Sequence, residues 1–200
     1  MEENKNYTTG TNNTYVSNTT LDASVENWQK FSFEQKILEQ RMYVFVERHL
    51  SPIDKGIQSA HAVVEYSNKF SKNENYYQWS FYDKTLILLN GGVVNDLVDL
   101  TKTFYENEIP FSFFKEVDMD NILTSVAVLV DERVFNKDKY LDFDIWRNNK
   151  YPVIPTYCME DIGDFDFTYN DHYKEWTEDV IGGEKNVILR KIINSKRLAS

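Results

Sequence analysis

Cysteine is nearly absent from this chain: Cys158 is the only one in 200 residues. A single thiol excludes an intramolecular disulfide and a cysteine-based structural zinc site, and it fits a reducing compartment. Histidine is almost as scarce, and His49, His61 and His172 form neither an HxxxH nor an HExxH pair, so no metal is expected. Long apolar runs are also missing, and none lies near the start. Neither a signal peptide nor a transmembrane helix is expected, which points to the cytoplasm and away from membranes. No GxSxG elbow accompanies Ser51, Thr124 or Ser125, which argues against a serine-hydrolase triad. The pair Gly91-Gly92 lacks the GxGxxG context and an acidic partner, so no dinucleotide fingerprint exists. Basic charge is short as well: 22 Lys and Arg stand against 32 Asp and Glu, a net charge of -10. A protein gripping a long polyanion carries a basic face, so this balance weighs against extended nucleic-acid contact. The charge is uneven, however. Asp142, Asp144, Asp161, Asp164, Asp166, Asp171, Glu178 and Asp179 precede a basic end of Lys185, Arg190, Lys191, Lys196 and Arg197. The final helix is expected to lie against that acidic segment.

What the sequence does contain is an ordinary apolar fraction, 42%, and an aromatic fraction of 15%, enough to build a core. Four segments follow one another: a polar tail over 1–24, a helix over 25–40, a core over 41–131, and an acidic, aromatic extension over 132–200 ending in a basic helix. The N-terminal helix, drawn from Val25 to Arg41, would turn Trp28, Phe31, Ile37 and Leu38 inward. Met42 to Val46 reads as a strand buried on both faces. Ser51-Pro52 reads as a helix start with Asp54 in its first turn. Ile53, Ile57, Ala60 and Val64 then recur at helical spacing and are expected to pack on the sheet. Thr85 to Leu89 is a second strand closed by Asn90-Gly91-Gly92, and Asn95 is the expected cap of a helix carrying Leu97, Leu100, Thr101 and Phe104. Phe111 to Glu116 and Ser125 to Val130 supply two more strands. Beyond Asp131, Tyr140 to Trp146 and Tyr151 to Tyr157 read as an extended wrap. Asp171 to Val180 reads as a short helix, and Glu184 to Leu198 as a last one with Val187, Ile188, Ile192 and Ile193 buried.

The expected fold is therefore α/β: a small three-layer core with a four-stranded mixed sheet flanked by helices, plus an N-terminal tail and a C-terminal wrapping extension. Lys55, Gln58 and His61 would lie at a helix N-terminus just past the carboxyl end of a strand, where open α/β sheets place ligands.

The run from Tyr43 through Ala62, with Lys55 ahead of Gln58-Ser59-Ala60-His61-Ala62, resembles the type 2 peptidyl-tRNA hydrolases. The segment from Phe114 to Val128 is similar to the same family in carrying an aspartate after the third strand, Asp118, and a threonine opening the fourth, Thr124. The likeness spans roughly Arg41 to Asp131. The short Asp118-to-Thr124 loop and the ending GGEKNVILRKIINSKRLA look most like relatives encoded by tailed bacteriophages. The resemblance implies hydrolysis of the ester joining a peptide to the terminal ribose of tRNA, without metal or organic cofactor. It implies the tRNA 3′ end as partner and the host cytoplasm as location, with a homodimer left open. The chain departs from the family in three respects: the loop before the helix keeps one lysine, Lys55; Asp118-Met119-Asp120-Asn121 replaces an Asp-Ala-Gly segment followed by a threonine; and the loop to Thr124 is shorter than in cellular members.

Within that reading His61 is a candidate general base, Lys55 a candidate phosphate or oxyanion partner, and Asp118 a group that orients them or the water. Thr124 completes the catalytic set, and Gln58 and Ser125 are candidate substrate-binding residues. Each has an ordinary alternative: a packed histidine, a surface lysine, a loop-capping aspartate, a strand-start hydroxyl. Two other functions compete. One is a pocket that binds or cleaves a small nucleotide such as a host immune signal; the other is an interaction module with a dead site.

Overall fold

Gln40–Glu47 (β1) has seven of its eight residues buried, with only Arg41 partly exposed. A strand buried on both faces needs neighbours on both edges and helices above and below. The computed structural model describes residues 38–152 and 165–199, the side chains of 165–168 excepted, and supplies that surround. Thr85–Gly92 (β2), Phe111–Glu116 (β3) and Ile122–Asp131 (β4) complete a sheet of order β2-β1-β4-β3. β2 is parallel to β1, while β4 runs antiparallel to β1 and β3. The mixed four-stranded α/β core read from the sequence is therefore present. One consequence matters for function: the carboxyl ends of β1, β2 and β3 and the start of β4 share one edge.

Alternation along β1 divides the core into two clusters. Tyr43 and Phe45 face Leu97, Leu100 and Phe104, while Met42, Val44 and Val46 face Ala62, Tyr66 and Trp79. The first helix, Pro52–Phe70 (α1), thus lies on one side of the sheet, with Glu74–Gln78 (α2) and a π-helical turn, Trp79–Asp83, after it. Val94–Glu106 (α3) covers the other side. Phe45 and Phe104 meet edge to face at 6.2 Å with both side chains fully buried, each worth about 1.5–3 kcal/mol over the exposed state.

The extension adds Glu132–Phe135 (α4), Phe143–Lys150 (α5), Phe165–Glu175 (α6), a π-helical turn Trp176–Ile181, and Glu184–Asn194 (α7). Leu189 and Ile193 of α7 join the α3 side of the core. Phe143, Trp176 and Ile181 form a separate small cluster. Arg190 is the tie: its guanidinium donates to Asp142 Oδ1 at 2.9 Å and to the carbonyls of Arg133 and Tyr140 at 2.9 and 2.7 Å. The basic helix does contact the acidic segment ahead of it, through this arginine.

Several boundaries differ from expectation. Residues 25–37 of the expected first helix lie outside the described residues, as do the tail over 1–24 and Cys158, and Gln40 and Arg41 already belong to β1. Asn95 does not cap α3. Val93 is the N-cap, and its amide donates to Asp96 Oδ2 at 2.8 Å. Gly91-Gly92 ends β2 for a steric reason: a Cβ at Gly91 would come within 2.5 Å of the Leu97 side chain, and Gly92 holds φ +90°. Residues 143–146 are helical in α5 rather than extended, while 153–157 lie outside the described residues. The last helix stops at Asn194. Arg197 and Ala199 instead bond the outer edge of β2: Asn90 N–H to the Arg197 carbonyl at 2.9 Å and Ala199 N–H to the Leu88 carbonyl at 3.0 Å.

The largest difference concerns α1. Ile53, Ile57 and Val64 are 76%, 47% and 56% exposed, and Ala60 is exposed with them. The buried face is Lys55, Gln58, Ser59, Ala62 and Tyr66. Both sets recur at helical spacing, so periodicity alone does not choose between them. The sheet does. It places buried Ser112, Thr124 and Ser125 beneath the helix: Ser112 and Ser125 donate to the backbone carbonyls of Ala62 and Gln58, and Thr124 donates to the Gln58 side-chain oxygen, an acceptor an isoleucine cannot provide.

Candidate functional site

The loop between β1 and α1 is shaped by a buried acid, Glu47. Its Oε2 accepts from the amides of His49 and Leu50 at 2.6 and 3.2 Å, and its Oε1 lies 2.8 Å from His49 Nδ1. That carboxylate turns the chain back over the sheet edge. Ser51 then caps α1, with Asp54 N–H donating to Ser51 Oγ at 3.2 Å and Ser51 Oγ donating to Asp54 Oδ2 at 2.6 Å. A cap of this kind is worth about 1 kcal/mol.

The first three turns of α1 carry the candidates onto β3 and β4. Gln58 sits at the centre. Its Oε1 accepts from Thr124 Oγ1 at 2.8 Å, its Nε2 donates to Glu116 Oε2 at 2.5 Å, and its backbone carbonyl accepts from Ser125 Oγ at 2.7 Å. Thr124 Oγ1 also lies 3.3 Å from the Phe114 carbonyl. Thr124 and Ser125 are 1% and 0% exposed, so both hydroxyls act inside the fold, joining helix to sheet. Lys55 is buried one turn before Gln58, on the same inward face. His61 is exposed one turn after it, with its ring stacked on Phe114 at 4.4 Å and 16°. This is neither an inner-face histidine nor an isolated surface one. Asp118 is exposed on the 3-10 turn Val117–Met119 that joins β3 to β4.

The structure therefore brings Gln58, Thr124 and Ser125 into hydrogen-bond contact and sets Lys55 and His61 one turn to either side. Asp118 follows Glu116 by two residues, on the same edge of the sheet. Sequence reasoning missed Glu116. The available signal was the partial alternation of Phe111 to Glu116, in which Ser112, Phe114 and Glu116 share a face. Ser112 Oγ donates to the Ala62 carbonyl at 2.6 Å, Phe114 stacks on His61, and Glu116 meets Gln58, so the two elements run side by side in opposite directions.

No protein-family model matches this chain, and no curated protein matches it. The site is thus read from its own chemistry. Among the described residues no three or more His, Cys, Asp or Glu side chains are grouped so as to hold a metal ion, and no helix is long and apolar enough to cross a membrane. The candidates there are buried Lys55, exposed His61, the carboxylates of Glu116 and Asp118, and the N-terminus of a capped 19-residue helix. Such a set suits proton transfer and the stabilisation of a developing negative charge.

Proposed function

We propose that this protein hydrolyses the ester between a peptide and the terminal ribose of tRNA, or a close analogue, in the manner of the type 2 peptidyl-tRNA hydrolases it resembles. One observation carries the reading. The two stretches that hold the resemblance, Tyr43 to Ala62 and Phe114 to Val128, meet through the Thr124–Gln58 hydrogen bond, although these two residues are 66 positions apart. A likeness confined to scattered residues would not require them to converge at one sheet edge. The position supports the reading too, since ligands of open α/β sheets bind beyond the carboxyl ends of parallel strands.

In this account Lys55, held inward at the start of α1, acts with the helix N-terminus on a phosphate or on the oxyanion. Asp118 orients the lysine or the water. Thr124 and Ser125 hold Gln58 in place. The net charge of -10 fits a short contact at the 3′ end of tRNA better than a long one over its body. The test is release of deacylated tRNA from a purified N-acylated aminoacyl-tRNA. Wild type should release it, and Asp118→Ala, with an unchanged melting temperature, should not. Lack of release by folded wild type across salt and pH would overturn the proposal.

A further inference from the structure

We infer that Glu116, rather than His61, is the general base of the proposed hydrolysis, with Gln58 as the residue that positions it. The inference rests on the functional reading above and adds a residue to it.

Glu116 ends β3 at the shared sheet edge and is half-buried. One of its oxygens is anchored, because Oε2 accepts the Gln58 Nε2 proton at 2.5 Å. The anchor itself is fixed. A carboxylate can only accept, so the amide must turn its NH2 toward Glu116 and its oxygen toward Thr124, whose hydroxyl then has to donate. Each polar end in this chain thus has one allowed orientation. Gln58 and Thr124 are almost wholly buried, which leaves Glu116 as the member that reaches solvent. An ionised carboxylate held by a charge-assisted bond at one oxygen keeps lone pairs at the other for a water.

His61 is differently placed. Its ring lies flat on Phe114, the residue two before Glu116 on the same face of β3, and no buried partner fixes the direction of its nitrogens among the described residues. Phe114 and His61 therefore form a wall beside the carboxylate.

The step balances without a further reactant. Glu116 takes one proton from water while the water oxygen bonds to the ester carbonyl carbon. The tetrahedral intermediate collapses, breaking the bond from that carbon to the ribose oxygen, and the ribose oxygen leaves with the proton returned from the Glu116 carboxylic acid. The products are a free peptide carboxyl group and a tRNA with its terminal hydroxyl restored.

Glu116→Gln is the informative variant. Its amide oxygen can still accept from Gln58 Nε2, so the fold keeps its anchor while the base is removed. With N-acylated aminoacyl-tRNA as substrate, kcat should fall about 100-fold or more with KM within about twofold, the range expected for losing a general base. His61→Ala, which removes the wall and not the proton acceptor, should lower kcat less than Glu116→Gln does; an equal or larger loss in folded His61→Ala overturns the inference. An unchanged kcat in folded Glu116→Gln overturns the inference and leaves the functional reading standing. Lack of hydrolysis by wild type overturns the functional reading instead. If Glu116→Gln unfolds, Glu116→Ala assayed with and without added formate decides the point. A loss that formate restores supports the assignment, and an unchanged rate or a loss that formate does not restore overturns it.

Discussion

Thr124 on β4 and Gln58 on α1 share a hydrogen bond of 2.8 Å, and the same amide reaches Glu116 on β3. One side chain therefore pins a helix to two strands. Gln58→Leu would leave the buried Thr124 hydroxyl only its longer contact with the Phe114 carbonyl and take the amide donor from the Glu116 carboxylate. The expected loss is about 2–3 kcal/mol of unfolding free energy in urea, with the slope unchanged. A loss below about 0.5 kcal/mol would mean that these groups find other partners.

The exposed stripe on α1 is testable in the same way. Ile57→Lys and Val64→Lys should each shift stability by no more than about 0.5 kcal/mol, as surface changes do. Ala62→Leu, on the buried face, should cost about 1–3 kcal/mol through overpacking. The opposite ranking would restore the face that periodicity alone suggested.

Tyr66 links stability to alkaline pH. Burial raises its phenol above the ordinary tyrosine range, against a smaller opposing effect from a backbone hydrogen bond with Leu129. A group whose folded pKa is raised contributes fully below its unfolded value, about 10 for tyrosine, and loses that contribution as pH rises toward the folded value. Wild type should therefore lose stability above about pH 10, and the gap between it and Tyr66→Phe should narrow there. A gap that stays constant from neutral to alkaline pH in thermal melts would refute the linkage.

The C-terminal residues shield a sheet edge. Removing 197–200 would free the Asn90 amide and the Leu88 carbonyl on β2, beside exposed Leu86. Unpaired edges invite pairing with other chains. Faster hydrogen exchange at Asn90 and greater self-association at high concentration are expected. Unchanged exchange would show that the tail contact is dispensable.

The strands were legible because β1 and β4 are apolar runs with β-branched and aromatic residues, which any buried strand requires. The start of α1 was legible from Ser51-Pro52, whose capping chemistry is local. The inward face of α1 was not. Gln58 and Ala62 face inward onto the hydroxyls of Thr124, Ser125 and Ser112. Those partners lie 50 or more residues away, beyond the reach of a periodicity argument. Glu116 was hidden for the same reason, since only the fold brings Gln58 to it. Residues 143–146 misled because an aromatic stretch ahead of Pro152 and Pro155 resembles a wrap, whereas Phe143 packs against Trp176 from a helix.

The most direct test of the account is the rate of hydrolysis of N-acylated aminoacyl-tRNA by wild type, Lys55→Ala, Asp118→Ala and Glu116→Gln, each confirmed folded by its melting temperature. The account predicts hydrolysis by wild type and a loss of about 100-fold or more in each variant. Wild-type protein that leaves the ester intact, or variants that cleave it as fast as wild type, would contradict it.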